Sequence, residues 1–500
     1  MELRTNRNSD HLHTPDSTDP SPPRLGAYLS SCAQLDYRAL VRPIAAQQDP
    51  PIRSGGVLAI AFSAVAYYEG AHLYIEHVDM KPESDPEVKK WQWDVVNSEW
   101  TGDSAKGGTD PALGYRARHI LHAAWSAYTD EAPSASVIIE DPAQSQSIHV
   151  VDSRLQQTEH HLWNAILLAE KKLAKSELNP SSFMILLLRH AAVSEQIGVG
   201  PFPRLAKEDY ERAWQYSSDP TYRQFIAWRL GDLDHRMGHD TDALFWWDRS
   251  SQLAQEVNQK GGAPPTGIFR IPQTPLAQRI LSSVLVSRSA YLAASGKLKD
   301  AQTLEESALE LLRSIPFPES IASASPPQAL HALYLLQRSS LLSIHLAEVL
   351  HAQRRPVRFS MQWLASAAES SERVARILTN SSHADTQKES TGPKNNKLLP
   401  VYTGSYSMNN SASALLRDAR RTAAEAWNMM GILHEDHEGL KSRLAFECYQ
   451  RAVNWAGTVK ESGKDLQAAD DVLDSDWKIY WANYQRLKNV QERPNPKMSK

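Results

Sequence analysis

The chain has 500 residues, 22% of them charged, and a formal net charge of -4. No long basic stripe breaks that balance, which excludes the electrostatic footprint of a nucleic-acid binder and makes proteins the expected partners. Cys32 and Cys448 are the two cysteines, too few for a disulfide framework or a four-cysteine zinc site.

Residues 1–52 form an expected disordered or targeting tail. Pro15, Pro20, Pro22 and Pro23 stand among Ser, Thr, Asn and Asp, a composition that buries too little apolar surface to offset its ordering entropy. Arg4 and Arg7 fit a mitochondrial presequence, whereas Asp10, Asp16 and Asp19 oppose its acid-poor character. The next segment, 53–78, is a candidate transmembrane helix. Residues 55–75 are apolar but for Glu69, and a bilayer core needs about 20 such residues. Arg24, Arg38, Arg42 and Arg53 precede the run and Glu76, Asp79, Glu83, Asp85 and Glu87 follow it, an asymmetry that exports the carboxy-terminal side. The alternative is a buried first helix of a soluble solenoid.

Residues 79–150 are expected to be an irregular, loop-rich linker. Within it Trp91, Trp93 and Trp100 either pack onto a helical body or anchor at a membrane interface. A helix is expected over 115–128, and a short extended piece over 137–139.

From 151 to 378 the periodicity is helical, and antiparallel helix pairs are expected. Leu162, Ala165, Ile166, Ala169 and Leu173 recur at three- and four-residue steps; Asn179-Pro180 ends that helix and Ser182 caps the next. Ala206, Tyr210 and Ala213 follow, closed by Asp219-Pro220. Then Gly231, Gly238, Ala243 and Trp247 take the offsets of a tetratricopeptide (TPR) helix-turn-helix unit, with Gly238 in the turn. Ser289, Gly296, Ala301 and Ala308 continue the frame, and Ala347, Leu350, Trp363 and Ser366 are its expected next positions. Gly231, Ser289 and Ala347 stand at equal intervals of 58; a bare unit takes 34, leaving an insert of about 24. Residues 379–412 are expected to be a flexible insertion. A final unit with a capping helix occupies 413–490: Trp427, Gly431, Ala445, Tyr449 and Ala452 carry the repeat spacing, and Trp477, Tyr480, Trp481, Tyr484 and Leu487 carry the cap. The fold expected is therefore all-α, a TPR-like solenoid with long inserts. Its small residues let the two helices of a unit approach closely, while Trp247, Tyr210 or Tyr449 fills the hole between neighbouring pairs.

No phosphate-loop, dinucleotide, nucleophile-elbow or HExxH pattern occurs. His434 and His437 lie with acids at a helix end, where a solvated turn is expected; His235 and His239 straddle Gly238 in the same way. Glu305-Glu306 is expected on a helix exterior, without the apolar pocket that acid catalysis requires. No catalytic residue, metal or cofactor is therefore assigned, and the chain is not expected to be an enzyme.

The run Ala301-Gln-Thr-Leu-Glu-Glu-Ser-Ala-Leu-Glu310, the run Ala426-Trp-Asn-Met-Met-Gly-Ile-Leu-His434, and residues 445–455, set behind a candidate membrane run, resemble fungal mitochondrial TPR proteins. Within that group the likeness is to the adaptor subunit of the inner-membrane i-AAA protease complex. The resemblance implies an anchor in the mitochondrial inner membrane, a repeat domain in the intermembrane space, and recruitment of unfolded substrates to an AAA protease. A soluble cytoplasmic assembly factor or architectural subunit is the alternative. In either case exposed residues on first helices are expected to hold the partner: Arg189, Glu195, Arg229, Asp232, Arg288 and Asn428.

Overall fold

The computed structural model describes residues 63, 66, 69–95, 100, 108–129, 136–140, 148–256, 270–321, 323–379, 397–457, 460–462, 465–467 and 477–492. The expected tail 1–52, most of the candidate membrane run and 380–396 of the expected insertion lie outside these residues. The account below concerns the unit Tyr68–Lys500.

That unit is built from helical hairpins. The helices are α1 (Gly114–Thr129), α2 (Ser153–Leu173), α3 (Pro180–Ile197), α4 (Phe202–Tyr216), α5 (Pro220–Arg236), α6 (Asp240–Glu256), α7 (Pro275–Ala294), α8 (Leu298–Ser314), α9 (Pro326–Ala352), α10 (Val357–Thr379), α11 (Tyr406–Glu438), α12 (Arg443–Ala456) and α13 (Trp477–Glu492). Each packs on its sequence neighbour, and the first helices α5, α7, α9 and α11 also pack on one another in turn, forming a layer. The all-helical expectation gives way at two short antiparallel ladders. β1 (Ser136–Glu140) pairs with β2 (Ile148–Asp152), and β3 (Lys460–Ser462) with β4 (Asp465–Gln467).

First helices share a start signal. Asn179-Pro180, Asp219-Pro220 and Thr274-Pro275 each place a capping side chain before a proline at the first helical position. That proline lacks only an N–H that would be orphaned there anyway. Asn179 and Asp219 therefore open α3 and α5 rather than ending their predecessors, and Ser182, expected as a cap, is buried inside α3 with its hydroxyl on Asp110.

The turns within hairpins repeat as well. Gly238, Gly296 and Arg354 all adopt left-handed φ, 80°, 73° and 57°, and each donates its amide to the carbonyl three residues back, His235, Ala293 and His351. The 58-residue interval therefore holds across three turns. It then slips, because Pro356 lengthens the third turn by one residue. As a result Ser360, Leu364 and Ala367 face the partner helix, whereas Ser366, expected there, is exposed. Ser360 Oγ donates to the Ala347 carbonyl at 2.9 Å.

The close approach inside a hairpin needs glycine at two places. A Cβ on Gly231 would stand 2.6 Å from Trp247 Nε1, and one on Gly431 would stand 2.6 Å from Tyr449 Cε1. Trp247, Tyr449, Ala243, Ala301, Ala308, Ala445 and Ala452 are all fully buried. Trp427 sits at the seam between units, its indole donating to Glu372 of α10 at 2.7 Å.

Three expected boundaries are corrected. α11 begins at Tyr406, inside the segment expected to be a flexible insertion, with Met408 and Ala412 in the core. The described part of 79–150 is integral to the body: Met80, Val88, Trp93, Trp100 and Trp125 are all core residues. Glu76, expected as a solvent-facing charge beyond a membrane run, is buried. It accepts from Thr109 N at 2.9 Å and Arg118 Nη2 at 2.8 Å, and it contacts His122. Burial alone would raise this carboxyl, but those donors hold it down at about 2. Among the described residues no helix is long and apolar enough to cross a membrane.

Candidate polypeptide-binding face

The layer of first helices presents its helix starts to one segment of the same chain, described at residues 83–95 and Trp100. Its first three contacts follow from the chemistry of a helix N-terminus, where unpaired amides and the positive end of the helix dipole favour acceptors and negative charge. Glu83 accepts from Ser405, the capping residue of α11. One turn on, Glu87 Oε2 accepts at 3.3 Å from Ser325, the residue before α9. Gln92 Oε1 then accepts the Leu276 amide in the first turn of α7 at 3.1 Å. Trp100 lies against α3, where the Arg189 guanidinium is 4.0 Å from its ring centre. The segment thus crosses α11, α9, α7 and α3 in that order, antiparallel to the order of the units. Trp125 of α1 lies near Tyr406 of α11, 5.7 Å between ring centres.

The strap is shaped by its own sequence. Asp85 caps a single turn, Pro86–Lys90, whose first position is proline. Val88 on that turn is fully buried, in the cluster with Leu330, Leu333 and Tyr402. The turn ends at Gln92, φ 53°, a left-handed backbone that costs a non-glycine residue about 1 kcal/mol or more. Glycine would be the ordinary choice; glutamine is kept because its side chain and carbonyl both reach α7.

Arg279 is the centre of this face. It is buried on α7 at 5% exposure, donating from Nη1 to the Trp91 carbonyl at 3.0 Å and from Nη2 to the Gln92 carbonyl at 2.8 Å. The Trp93 ring centre lies 3.8 Å from its guanidinium carbon, and the Trp93 indole donates to the Pro327 carbonyl at 2.9 Å. Trp91 faces His331 across 5.1 Å. Burial lowers Arg279 to about 9, because main-chain carbonyls replace only part of the lost hydration. An arginine that directs its fork at two successive carbonyls past the end of a helical turn, with an indole on its face, clamps that turn against α7.

The six residues expected to contact a partner do lie on first helices, but the expectation that they are exposed is corrected. Arg189, Glu195 and Asn428 are buried. Arg189 stacks on Trp100 and Tyr128. Glu195 pairs with Arg229 and Arg236 and accepts from Tyr210 at 3.1 Å. Asp232 accepts the Trp247 indole N–H at 2.9 Å, Arg288 pairs with Asp248, and Asn428 accepts from Asn483 at 3.0 Å. The array uses these groups to hold its own helices together. Residues that touch the strap, Arg279, His331 and the helix starts, were missed; a lone Arg279 among Leu, Ile, Ser and Val was the one available signal.

Two polar clusters lie elsewhere. Asp234, His239 and Asp242 have ligand atoms close enough for a metal, but the Lys207 ammonium already lies 2.7 Å from Asp234 and 3.6 Å from Asp242. The other centres on Glu305, expected on a helix exterior yet fully buried at the place equivalent to Trp247. Ser289 Oγ donates to its Oε1 at 2.7 Å, while Oε2 has no partner. Burial, with the charges of Glu348 and Glu306, raises this carboxyl to about 7 despite the Ser289 bond. A raised folded pKa means the acid form is favoured in the native state, so its stabilisation is complete below the unfolded value of 4.5 and lost as pH rises through about 7. Glu305→Gln should therefore gain about 2–3 kcal/mol over wild type in urea unfolding above pH 8 and little at acid pH. An equal difference at both would contradict the buried-acid assignment.

No protein-family model matches the chain, and no curated protein matches it. Among solved structures it is similar to the Signal Transduction ATPase with Numerous Domains (STAND) protein with a tetratricopeptide repeat sensor from Pyrococcus horikoshii. Identity is 10%, with 89% of this chain and 65% of that chain covered and a TM-score of 0.23. The chain thus spans under two thirds of that protein's length, and so distant a likeness adds nothing to the hairpin geometry described above.

Proposed function

We propose that this chain is a non-enzymatic protein-binding scaffold of TPR-like helical hairpins, whose layer of first helices receives a segment of polypeptide. The observation that carries the reading is the strap. The layer holds residues 83–95 through main-chain carbonyls, helix starts and indole stacking, interactions that a foreign peptide can also offer. In the finer form of the proposal the chain is an adaptor that presents unfolded or partner proteins to a protease complex at the mitochondrial inner membrane, anchored through 53–78. The runs 301–310 and 426–434 support that form by their resemblance to such adaptors.

A library of photo-reactive short peptides incubated with the full chain should cross-link to α7, α9 and α11. Cross-links confined to α6, α8 and α10, or none at all, would sink the scaffold reading. Carbonate extraction tests the finer form separately: an anchored adaptor stays with the membranes, and release into the supernatant removes the anchor.

A further inference from the structure

Resting on the scaffold reading, we propose that the strap is a ligand held in cis, and that the foreign partner is an acidic, tryptophan-bearing segment that displaces it. The groove states its own specificity through what it holds. Two carboxylates four residues apart, Glu83 and Glu87, meet Ser405 and Ser325 at the starts of α11 and α9. Two carbonyls and one indole then meet Arg279. Nothing in that set requires the ligand to belong to this chain, because carbonyl and carboxylate recognition is blind to what lies beyond the segment.

Two features make the strap displaceable. Gln92 has a left-handed backbone where α7 binds its side chain and carbonyl and the strap's own Gln92 and Trp93 amides bond to Lys89 and Val88, so release from α7 removes part of what offsets that strain. A trans segment with glycine or asparagine at the same place binds without paying it. Moreover, the described contacts of the strap with the first helices are all non-covalent, the packing of Val88 and Trp93 among them, with no disulfide among the described residues. An empty groove would leave the Arg279 guanidinium without its two carbonyls and its indole, with His331 Nδ1 still beside it at 3.3 Å from Nη1. The physics therefore favours exchange of one peptide for another over an open state.

A fluorescent peptide of residues 82–95 provides the test, with the full chain as receptor. The double variant Trp91→Ala, Trp93→Ala weakens the strap and should bind the peptide at least about tenfold tighter than wild type. Adding Arg279→Lys, which keeps charge but loses the fork, should abolish the gain, and a peptide with both glutamates changed to glutamine should bind more weakly with a shallower salt dependence. If the double variant fails to fold, hydrogen exchange on the wild-type chain decides: saturating peptide should accelerate exchange of the strap's own Trp93 amide. A folded double variant that ignores the peptide, or indifference to Arg279→Lys, would overturn the proposal. Cross-linking of other peptides to α7, α9 and α11 would in that case leave the scaffold reading standing. A wild-type dimer dissolved by the peptide would assign the strap's exchange to a second copy and likewise overturn the foreign partner.

Discussion

Trp247→Ala is expected to cost about 3–5 kcal/mol in urea unfolding, because the largest buried side chain of the α5–α6 hairpin leaves a cavity its neighbours cannot close. Its indole is fully buried and donates to Asp232 at 2.9 Å, so an unpaired acceptor is added to the lost packing. Gly231→Ala should be severe for the converse reason, since its new Cβ would fall inside the indole's van der Waals envelope. Gly238→Ala supplies the control. Nothing lies within 4 Å of a Cβ there, and only the φ of 80° opposes it, so about 1–2 kcal/mol is expected. The α9–α10 hairpin indicates how the close approach can be relaxed: Ala347 and Leu364 are both buried in one cluster at the corresponding places. Gly231→Ala combined with Trp247→Leu should therefore recover part of the loss of the glycine variant. A strictly additive double variant would show that the two residues do not meet.

His190→Gln is expected to cost about 3 kcal/mol at neutral pH, and the penalty should fade in alkali. His190 is fully buried on α3 between Asp209, which Nδ1 contacts, and Glu159, 3.2 Å from Nε2. Burial by itself would lower the imidazole, but hydrogen bonds and charge from the two carboxylates outweigh it and raise the ring to about 9. Both nitrogens donate only in the imidazolium form. A raised folded pKa places the full stabilisation below 6.5, the unfolded value, and removes it as pH rises through about 9. The difference between wild type and His190→Gln should therefore be constant in mild acid and shrink across that window. His190→Leu should be worse than glutamine at every pH, as it strands two carboxylates with one partner fewer. A wild-type stability that does not change between pH 6.5 and pH 10 relative to the glutamine variant would refute the charged ring.

Much of the hairpin architecture was legible in the sequence because its determinants are local. Gly231 and Trp247 are separated by one short turn, and the spacing that places them together is a property of two helices and the residues between. The interval of 58 was legible for the same reason, and the slip at Pro356 was not, since one extra turn residue leaves the alanine and leucine periodicity of α10 apparently intact. Residue position on the first helices was also readable for Arg189, Glu195, Arg229, Asp232, Arg288 and Asn428. Their burial was not, because it depends on neighbours from other helices: Trp100 for Arg189, Arg236 for Glu195, Asn483 for Asn428.

By itself the sequence determined the helical hairpins and the contacts between Gly231 and Trp247 and between Gly431 and Tyr449, though Asn179 and Asp219 cap the starts of α3 and α5 where the sequence suggested helix ends. Caps, periodicity and tight turns act over a few residues, so they can be read without knowing where the chain goes next. Only the tertiary structure decided that residues 83–95, which look like an irregular linker, run along the layer of first helices. Arg279 and Trp91 are 188 residues apart, and no local periodicity encodes a contact whose formation depends on several intervening hairpins stacking first.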